Sequence, residues 1–308
     1  MMKQIARGVY PTMITPYREG KLDLQAASRL VEWYIEKGCD GIFAVCQSSE
    51  MQFLSLAERK TLAACVYEAA KGRVSVVTSG HCAESLDEQA REAEEIYAAG
   101  SDAFVLVSNR LDLHNDGDDV WIANAKQLLA AVDPAVPLGI YECPRPYKRL
   151  LSEKILDYCI ESGRFVFIKD TCCCPVTLNA RLKQLAGTGV ALFNANAQTL
   201  LDSLRQGAAG YSGIMANFHP ELLNWLCRNH EAYPEQAEKL AAALSMEAFT
   251  ELDGGYPCTA KYYFNCFEGV PMSAEARSCA PKELTPYRKL ILAQMHIFSE
   301  ELKRQYIG

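Results

Sequence analysis

Three times along the chain a helical pattern of apolar and polar residues is stopped by a glycine and followed at once by a short apolar run. Glu36-Lys37-Gly38-Cys39-Asp40-Gly41 precedes Ile42-Phe43-Ala44-Val45, Ala98-Ala99-Gly100-Ser101-Asp102-Ala103 precedes Phe104-Val105-Leu106-Val107, and Arg205-Gln206-Gly207-Ala208-Ala209-Gly210 precedes Tyr211-Ser212-Gly213-Ile214. Each predicts a helix closed by glycine, a tight turn and a buried strand, the αβ half of a βαβ unit. Followed over the whole chain, the pattern predicts eight strands, starting near Val9, Gly41, Val74, Ala103, Leu138, Phe165, Ala191 and Gly210. Between them apolar residues recur at helical spacing over 24–37, 56–70, 85–99 and 120–131, with Leu30, Trp33 and Tyr34 as one core-facing stripe and Ala90, Ala93 and Tyr97 as another. Eight alternating β/α pairs in about 230 residues predict an α/β fold closed into a (β/α)8 TIM barrel. The rival, an open doubly wound sheet, would carry a glycine-rich phosphate turn after its first strand. That strand instead leads into Thr15-Pro16-Tyr17-Arg18-Glu19-Gly20. Beyond residue 230 the strand pattern ends, and 235–252 and 284–303 predict helices joined by a segment with Pro257 and Pro271. The expected organisation is a barrel over 1–230 and a C-terminal helical extension of the same domain over 231–308.

Composition narrows the function. A net charge of −7 leaves no basic surplus for nucleic-acid phosphates or anionic lipid, so neither nucleic acid nor a membrane is an expected partner. No long apolar run is present and the start, Met1-Met2-Lys3-Gln4, turns polar at once, which leads us to expect a cytoplasmic protein. The thirteen cysteines are an odd number, and Cys39, Cys46, Cys65, Cys143 and Cys227 fall inside apolar patterns. They read as small core residues of a reducing compartment. The run Cys172-Cys173-Cys174 has no CxxC pair with a histidine partner, and no two of the five histidines stand at strand-end spacing, so no metal is expected. His81, just after the third strand, reads as a pocket-lining residue.

In a barrel of this kind the chemistry lies at the C-terminal ends of the strands. The sixth strand, Phe165-Val166-Phe167-Ile168-Lys169-Asp170, is an apolar run that ends in a cation. Its lysine either snorkels outward or is held with a lowered pKa, and the second case makes an amine that can attack a ketone. Tyr141 ends the adjacent strand and is placed to carry protons to and from the carbinolamine. The Gln47-Ser48-Ser49 turn offers hydroxyls and backbone N–H groups for a carboxylate. Asn196 and Ser212, at the ends of the seventh and eighth strands, complete the candidate substrate-binding set. The alternatives are structural: a solvent-reaching lysine, a tyrosine satisfied in the core and a serine pair capping a helix.

Order and spacing along essentially the whole chain resemble the dihydrodipicolinate synthase / N-acetylneuraminate lyase superfamily of class I aldolases. The resemblance rests on Gly8 to Tyr17, on Gly38 to Glu50 (similar to a stretch ending Gly-Thr-Thr-Gly-Glu), on Tyr141 to Pro144 (similar to Tyr-Asn-x-Pro), on Ile168-Lys169-Asp170, on Gly210 to Pro220 with Ala216-Asn217, and on Lys261. It implies a Schiff base of a pyruvate-type 2-keto acid on Lys169, Tyr141 as proton shuttle and the substrate carboxylate at Gln47-Ser48. It also implies a homodimer or homotetramer, no cofactor beyond the covalent lysine imine, and no metal. The departures are specific. Both motif glycines are lost, to Cys46 and Ser49; the relay tyrosine after strand four aligns with Leu111; Pro146, with Arg145 beside it, stands where a synthase carries an arginine. Ala197 and Gln198 replace the acidic residues of sialic-acid lyases, and Gly213 a serine-type position. Two functions follow as expectations: a Schiff-base aldolase, lyase or dehydratase, or a family member without turnover that binds a keto acid as a sensor or partner surface.

Overall fold

The computed structural model describes residues 5–252, 254–280 and 283–308. Eight parallel strands, β1 (Gly8–Val9), β2 (Gly41–Ala44), β3 (Ser75–Thr78), β4 (Ala103–Val107), β5 (Leu138–Tyr141), β6 (Phe165–Asp170), β7 (Ala191–Asn194) and β8 (Gly210–Tyr211), follow one another around a single sheet. β1 pairs with β8, and a parallel bridge between Thr12 and Phe43 closes the ring onto β2, with the Met13 N–H donating to the Phe43 carbonyl at 2.9 Å. The fold is therefore a (β/α)8 TIM barrel. Closure needs β1 and β8 to touch. Gly210 has φ +152°, and a Cβ there would stand 1.8 Å from the Gly8 carbonyl oxygen.

The intervening helices start where short polar side chains can cap them. α1 (Leu24–Glu36) is capped by Asp23, α2 (Leu56–Ala70) by a Ser55–Glu58 capping box, α3 (Leu86–Gly100) by Ser85 and α5 (Glu153–Ser162) by Ser152. α4 (Asp118–Ala131), α6 (Pro175–Leu185), α7 (Leu200–Arg205) and α8 (Pro220–Asn229) complete the outer layer. After the barrel the expected helix over 235–252 is interrupted at Ala248 into α9 (Pro234–Glu247) and α10 (Phe249–Leu252). The joining segment contains a helix that its Pro257 and Pro271 concealed, α11 (Cys258–Phe267), and α12 (Pro286–Tyr306) follows. Among the described residues no helix is long and apolar enough to cross a membrane.

Strand side chains alternate between the barrel interior and the helix layer. Inside, Phe167 stacks on Phe193 with centroids 4.8 Å apart and meets the edges of Phe43 at 5.8 Å and Tyr10 at 5.9 Å. This buried aromatic floor fills the lower barrel, and Lys169 is the next inward residue after Phe167. Outside, Asp170 and Glu142 both bind Arg181 of α6, the Arg181 Nη2 to Glu142 Oε1 pair at 2.8 Å. Burial, with the neighbouring Asp170 carboxylate, pushes the Glu142 carboxyl above its usual range.

His81 does not line the cavity at the barrel mouth. It is buried between β3 and α3, where its Nδ1 accepts the Val107 N–H at 2.8 Å and its Nε2 lies 2.9 Å from the Gln89 side-chain oxygen. Its job is to hold the end of β4 in place. Burial lowers the imidazole from 6.5 to about 4. A folded-state pKa below the unfolded value gives stability that is present above pH 6.5 and lost as pH falls toward 4, ~3 kcal/mol over the full interval. Denaturant titrations of the protein and of His81→Asn between pH 7.5 and 4.5 should therefore show the steeper acid loss in the unmutated chain. Parallel curves would assign that acid sensitivity to other groups.

Candidate active site

β6 delivers Lys169 to the mouth of the barrel with its side chain turned inward, 5% exposed. Its backbone is in register with Tyr141 on one side and Phe193 on the other. The amine does not reach bulk water; Nζ lies 4.1 Å from the centroid of the Tyr141 ring, on its face. A ring face attracts an ammonium.

Tyr141 closes β5 and Cys143 follows two residues on; burial pushes both the phenol and the thiol above their ordinary values, so both carry protons at neutral pH. Cys143 in turn donates to the Gln47 side-chain oxygen at 2.9 Å. The thiol-to-amide bond therefore joins the tops of β5 and β2. The Gln47-Ser48 turn is itself tied down. Ser48 Oγ lies 3.1 Å from Thr12 Oγ1, Ser49 Oγ donates to the Met13 carbonyl at 2.6 Å, and Thr15 Oγ1 donates to the Ser49 carbonyl at 2.6 Å. The glycines missing from this turn are not needed where they are missing. Its left-handed residues are Val45 (φ +50°) and Glu50 (φ +62°). A β-branched residue in that region stores about 1–3 kcal/mol, held by the hydroxyl contacts around it.

These residues open on a cavity of about 170 Å³. Gln47, Ser48, Tyr141 and Lys169 line it from the barrel, Phe53 and Ile214 from the turns after β2 and β8, and Tyr256, Pro257 and Ser278 from the chain beyond the barrel. Arg145 is exposed at its rim. Two expected residues are placed elsewhere. Asn196 caps the turn after β7, accepting from the Thr199 N–H at 3.0 Å and donating to Gln198 at 2.7 Å. Ser212 is fully buried at the end of β8, its Oγ without a hydrogen-bond partner and off the cavity lining. Leu111 is buried in the core, so nothing at its position reaches the cavity. A Cβ at Gly213 would fall 2.4 Å from the Ala195 carbonyl oxygen, which explains why a serine is not accommodated there.

The outer wall was not foreseen, and one buried carboxylate organises it. Glu50 Oε2 pairs with Lys261 Nζ at 3.1 Å, and Glu50 Oε1 accepts the backbone N–H groups of Arg277 and Ser278, each at 2.6 Å. Burial pulls the Lys261 ammonium below its ordinary value while Glu50 pulls it back. Asn217 adds a second tie, donating to the Tyr256 hydroxyl at 3.2 Å and to the Thr12 carbonyl at 3.0 Å. Glu50, Lys261 and Asn217 were visible as motif positions; Tyr256, Pro257 and Ser278 carried no local signal. A separate cluster, Glu268, His296 and Glu300, gathers on the outer helices, with its carboxylates paired to Lys37 and Lys303.

The sequence model of the Dihydrodipicolinate synthetase family matches residues 5–278. The 4-hydroxy-tetrahydrodipicolinate synthase of Ruegeria pomeroyi is 38% identical over 218 residues, 70% of this chain and 72% of that protein. Among solved structures, a Ruminococcus gnavus sialic acid aldolase superposes with a TM-score of 0.86 at 18% identity, covering 97% of this chain and 99% of its own. The 4-hydroxy-tetrahydrodipicolinate synthase of Methylacidiphilum fumariolicum SolV does so with a TM-score of 0.84 at 21% identity, covering 97% and 98%. At these identities the two superpositions speak for the fold.

Replacing Lys261 by methionine keeps the length of the side chain and strands the Glu50 carboxylate. Breaking one side of a buried pair costs on the order of 3–5 kcal/mol. Amide hydrogen exchange at Arg277 and Ser278 should accelerate in Lys261→Met while the β5 and β6 amides stay protected. Unchanged exchange at both positions would remove Glu50 as the anchor of this wall.

Proposed function

The chain belongs to the Dihydrodipicolinate synthetase family, and from that premise we propose that it is a Schiff-base lyase, aldolase or synthase acting on a pyruvate-type 2-keto acid. The observation that carries this reading is the buried Lys169 amine on the face of Tyr141 in the cavity at the barrel mouth. The amine attacks the keto carbon to give a carbinolamine; loss of water then leaves the imine, which acts as an electron sink for making or breaking the adjacent C–C bond. Tyr141 supplies and recovers the proton at the carbinolamine oxygen. Cys143 and Gln47 hold the phenol in position through the hydrogen bond between thiol and amide. The substrate carboxylate takes the backbone N–H groups and hydroxyl of the Gln47-Ser48 turn. No cofactor is required beyond the imine.

Arg145 at the rim favours a second substrate that carries an acidic group. Assembly as a homodimer or homotetramer in the cytoplasm belongs to the same reading. The burial of Leu111 is the observation that favours the other function, a keto-acid-binding protein without turnover.

Incubation with pyruvate and borohydride should add mass irreversibly at Lys169, and Lys169→Ala should take up none. No adduct across a panel of 2-keto acids would overturn the proposal; an adduct with neither C–C bond chemistry nor dehydration would decide for the binding protein. Tyr141→Phe should lower the rate of imine formation about 10²–10⁴-fold with a much smaller change in keto-acid affinity. An equal loss in affinity and rate would make Tyr141 a wall residue only.

A further inference from the structure

Two cysteines stand behind the cavity wall, outside the chemistry just described. Cys258 opens α11 and directly follows Pro257; Cys279 directly follows Ser278, and both of those neighbours line the cavity. The two cysteines meet where the segments touch. Cys258 Sγ points at the carbonyl oxygens of Cys279 and Ala280, 3.9 and 4.0 Å away, and Cys279 Sγ points at the Gly255 carbonyl oxygen 3.7 Å away. Cys258 is fully buried, whereas Cys279 is partly open to solvent. Several other thiols are placed otherwise: Cys143 is bonded to Gln47, Cys65 lies against Ser28, and Cys172 and Cys173 point at backbone carbonyls of their own loop.

We propose that Cys258 and Cys279 form an oxidisable dithiol site, which a peroxide converts to a disulfide that ties the two wall segments together. The reactivities are already divided. Cys279 is the more open of the two, and the Cys258 side chain beside it, helped by the Lys261 ammonium, lowers its thiol to about 7, whereas the thiol of the buried Cys258 is raised. The Cys279 thiolate attacks one peroxide oxygen; an S–O bond forms, the O–O bond breaks, and the departing hydroxide takes a proton to leave as water. Cys258 then attacks the sulfur of the sulfenic acid, its own proton leaving with the displaced hydroxyl as a second water. Both sulfurs are oxidised by one electron each and the peroxide is reduced by two.

The bond draws the sulfurs to about 2.05 Å. Tyr256, Pro257 and Ser278 move with them, which narrows the mouth of a cavity of only about 170 Å³. That consequence rests on the Schiff-base reading of Lys169; the bond itself does not.

The sequence makes the test clean. Trypsin releases Cys258 in the peptide 240–261 and Cys279 in 278–282, and neither peptide holds another cysteine. Full-length protein treated with stoichiometric hydrogen peroxide should yield these two peptides joined, two mass units below their sum, and dithiothreitol should release them. C258S and C279S should give no such species. Cys279 arriving as a sulfinic acid with Cys258 still a free thiol, or Cys258 joined to a different cysteine, would overturn the site. Imine formation with pyruvate should fall about tenfold or more on oxidation, since displacement of about 1 Å at a site is felt on that scale, and recover with dithiothreitol. C258S should keep its own untreated rate through the same treatment. A joined peptide with an unaltered rate would refute the narrowing, and reduced protein that forms no imine would refute the Schiff-base reading while leaving the dithiol site standing on its masses.

Discussion

The register of one strand decides where the amine points. Lys169 and Asp170 are neighbours on β6, so one faces the barrel interior and the other the helix layer. Asp170 is bound outside by Arg181, which also holds Glu142 at the top of β5. A slip of one residue would exchange the two positions and bring the ammonium against Arg181, leaving a carboxylate above the aromatic floor. Two like cations in a buried layer are strongly unfavourable. The outer ion cluster, which touches nothing in the cavity, thus fixes the inward aim of Lys169. The same cluster keeps β5 and β6 level, and this levelness lets the Tyr141 ring lie 4.1 Å from Nζ.

Above that floor the barrel alone would leave the amine in an open bowl. The lid comes from residues more than two hundred positions further along, and Glu50 recruits them. Its left-handed backbone places the carboxylate at the end of the Gln47-Ser48 turn, one oxygen toward Lys261 and the other toward two backbone N–H groups. A carboxylate so surrounded is well compensated for burial. The turn that shapes the carboxylate end of the cavity and the wall that shuts out water are therefore one assembly, and strain at Val45 is carried by the same contacts.

How much of this could be read from the sequence depended on the range of the interaction. The eight strands were legible because a short apolar run after a glycine-stopped helix is a local signal. Lys169 and Tyr141 were legible because strand order alone makes them neighbours. α11 was hidden because Pro257 reads as a breaker, although it stands as the N-cap where proline does no harm. Strand-end position also misled, since it does not say which way a side chain turns. His81 turned toward α3, Asn196 to the cap its residue type prefers, and Ser212 into the packed end of β8. Tyr256 and Ser278 had no local signal, because their placement is decided by Asn217 and Glu50 across the whole fold.

The altered turn has a mechanistic consequence. A hydroxyl at position 47 could both accept and donate a proton, and so pass one onward. Gln47 instead presents an amide oxygen to Cys143, and that oxygen has no proton to hand on. The bond from Cys143 therefore ends in an acceptor: it ties the end of β5 to the turn without conducting. The burial of Leu111 agrees with this, since a relay continuing past the turn would need a proton carrier where an aliphatic side chain lies in the core. Under the proposed chemistry Tyr141 exchanges its proton with the substrate itself, taking it back from the carbinolamine or from the water that leaves. A tyrosine serving as both source and sink must stay close to the reacting oxygen throughout, and the thiol-to-amide tether supplies that restraint.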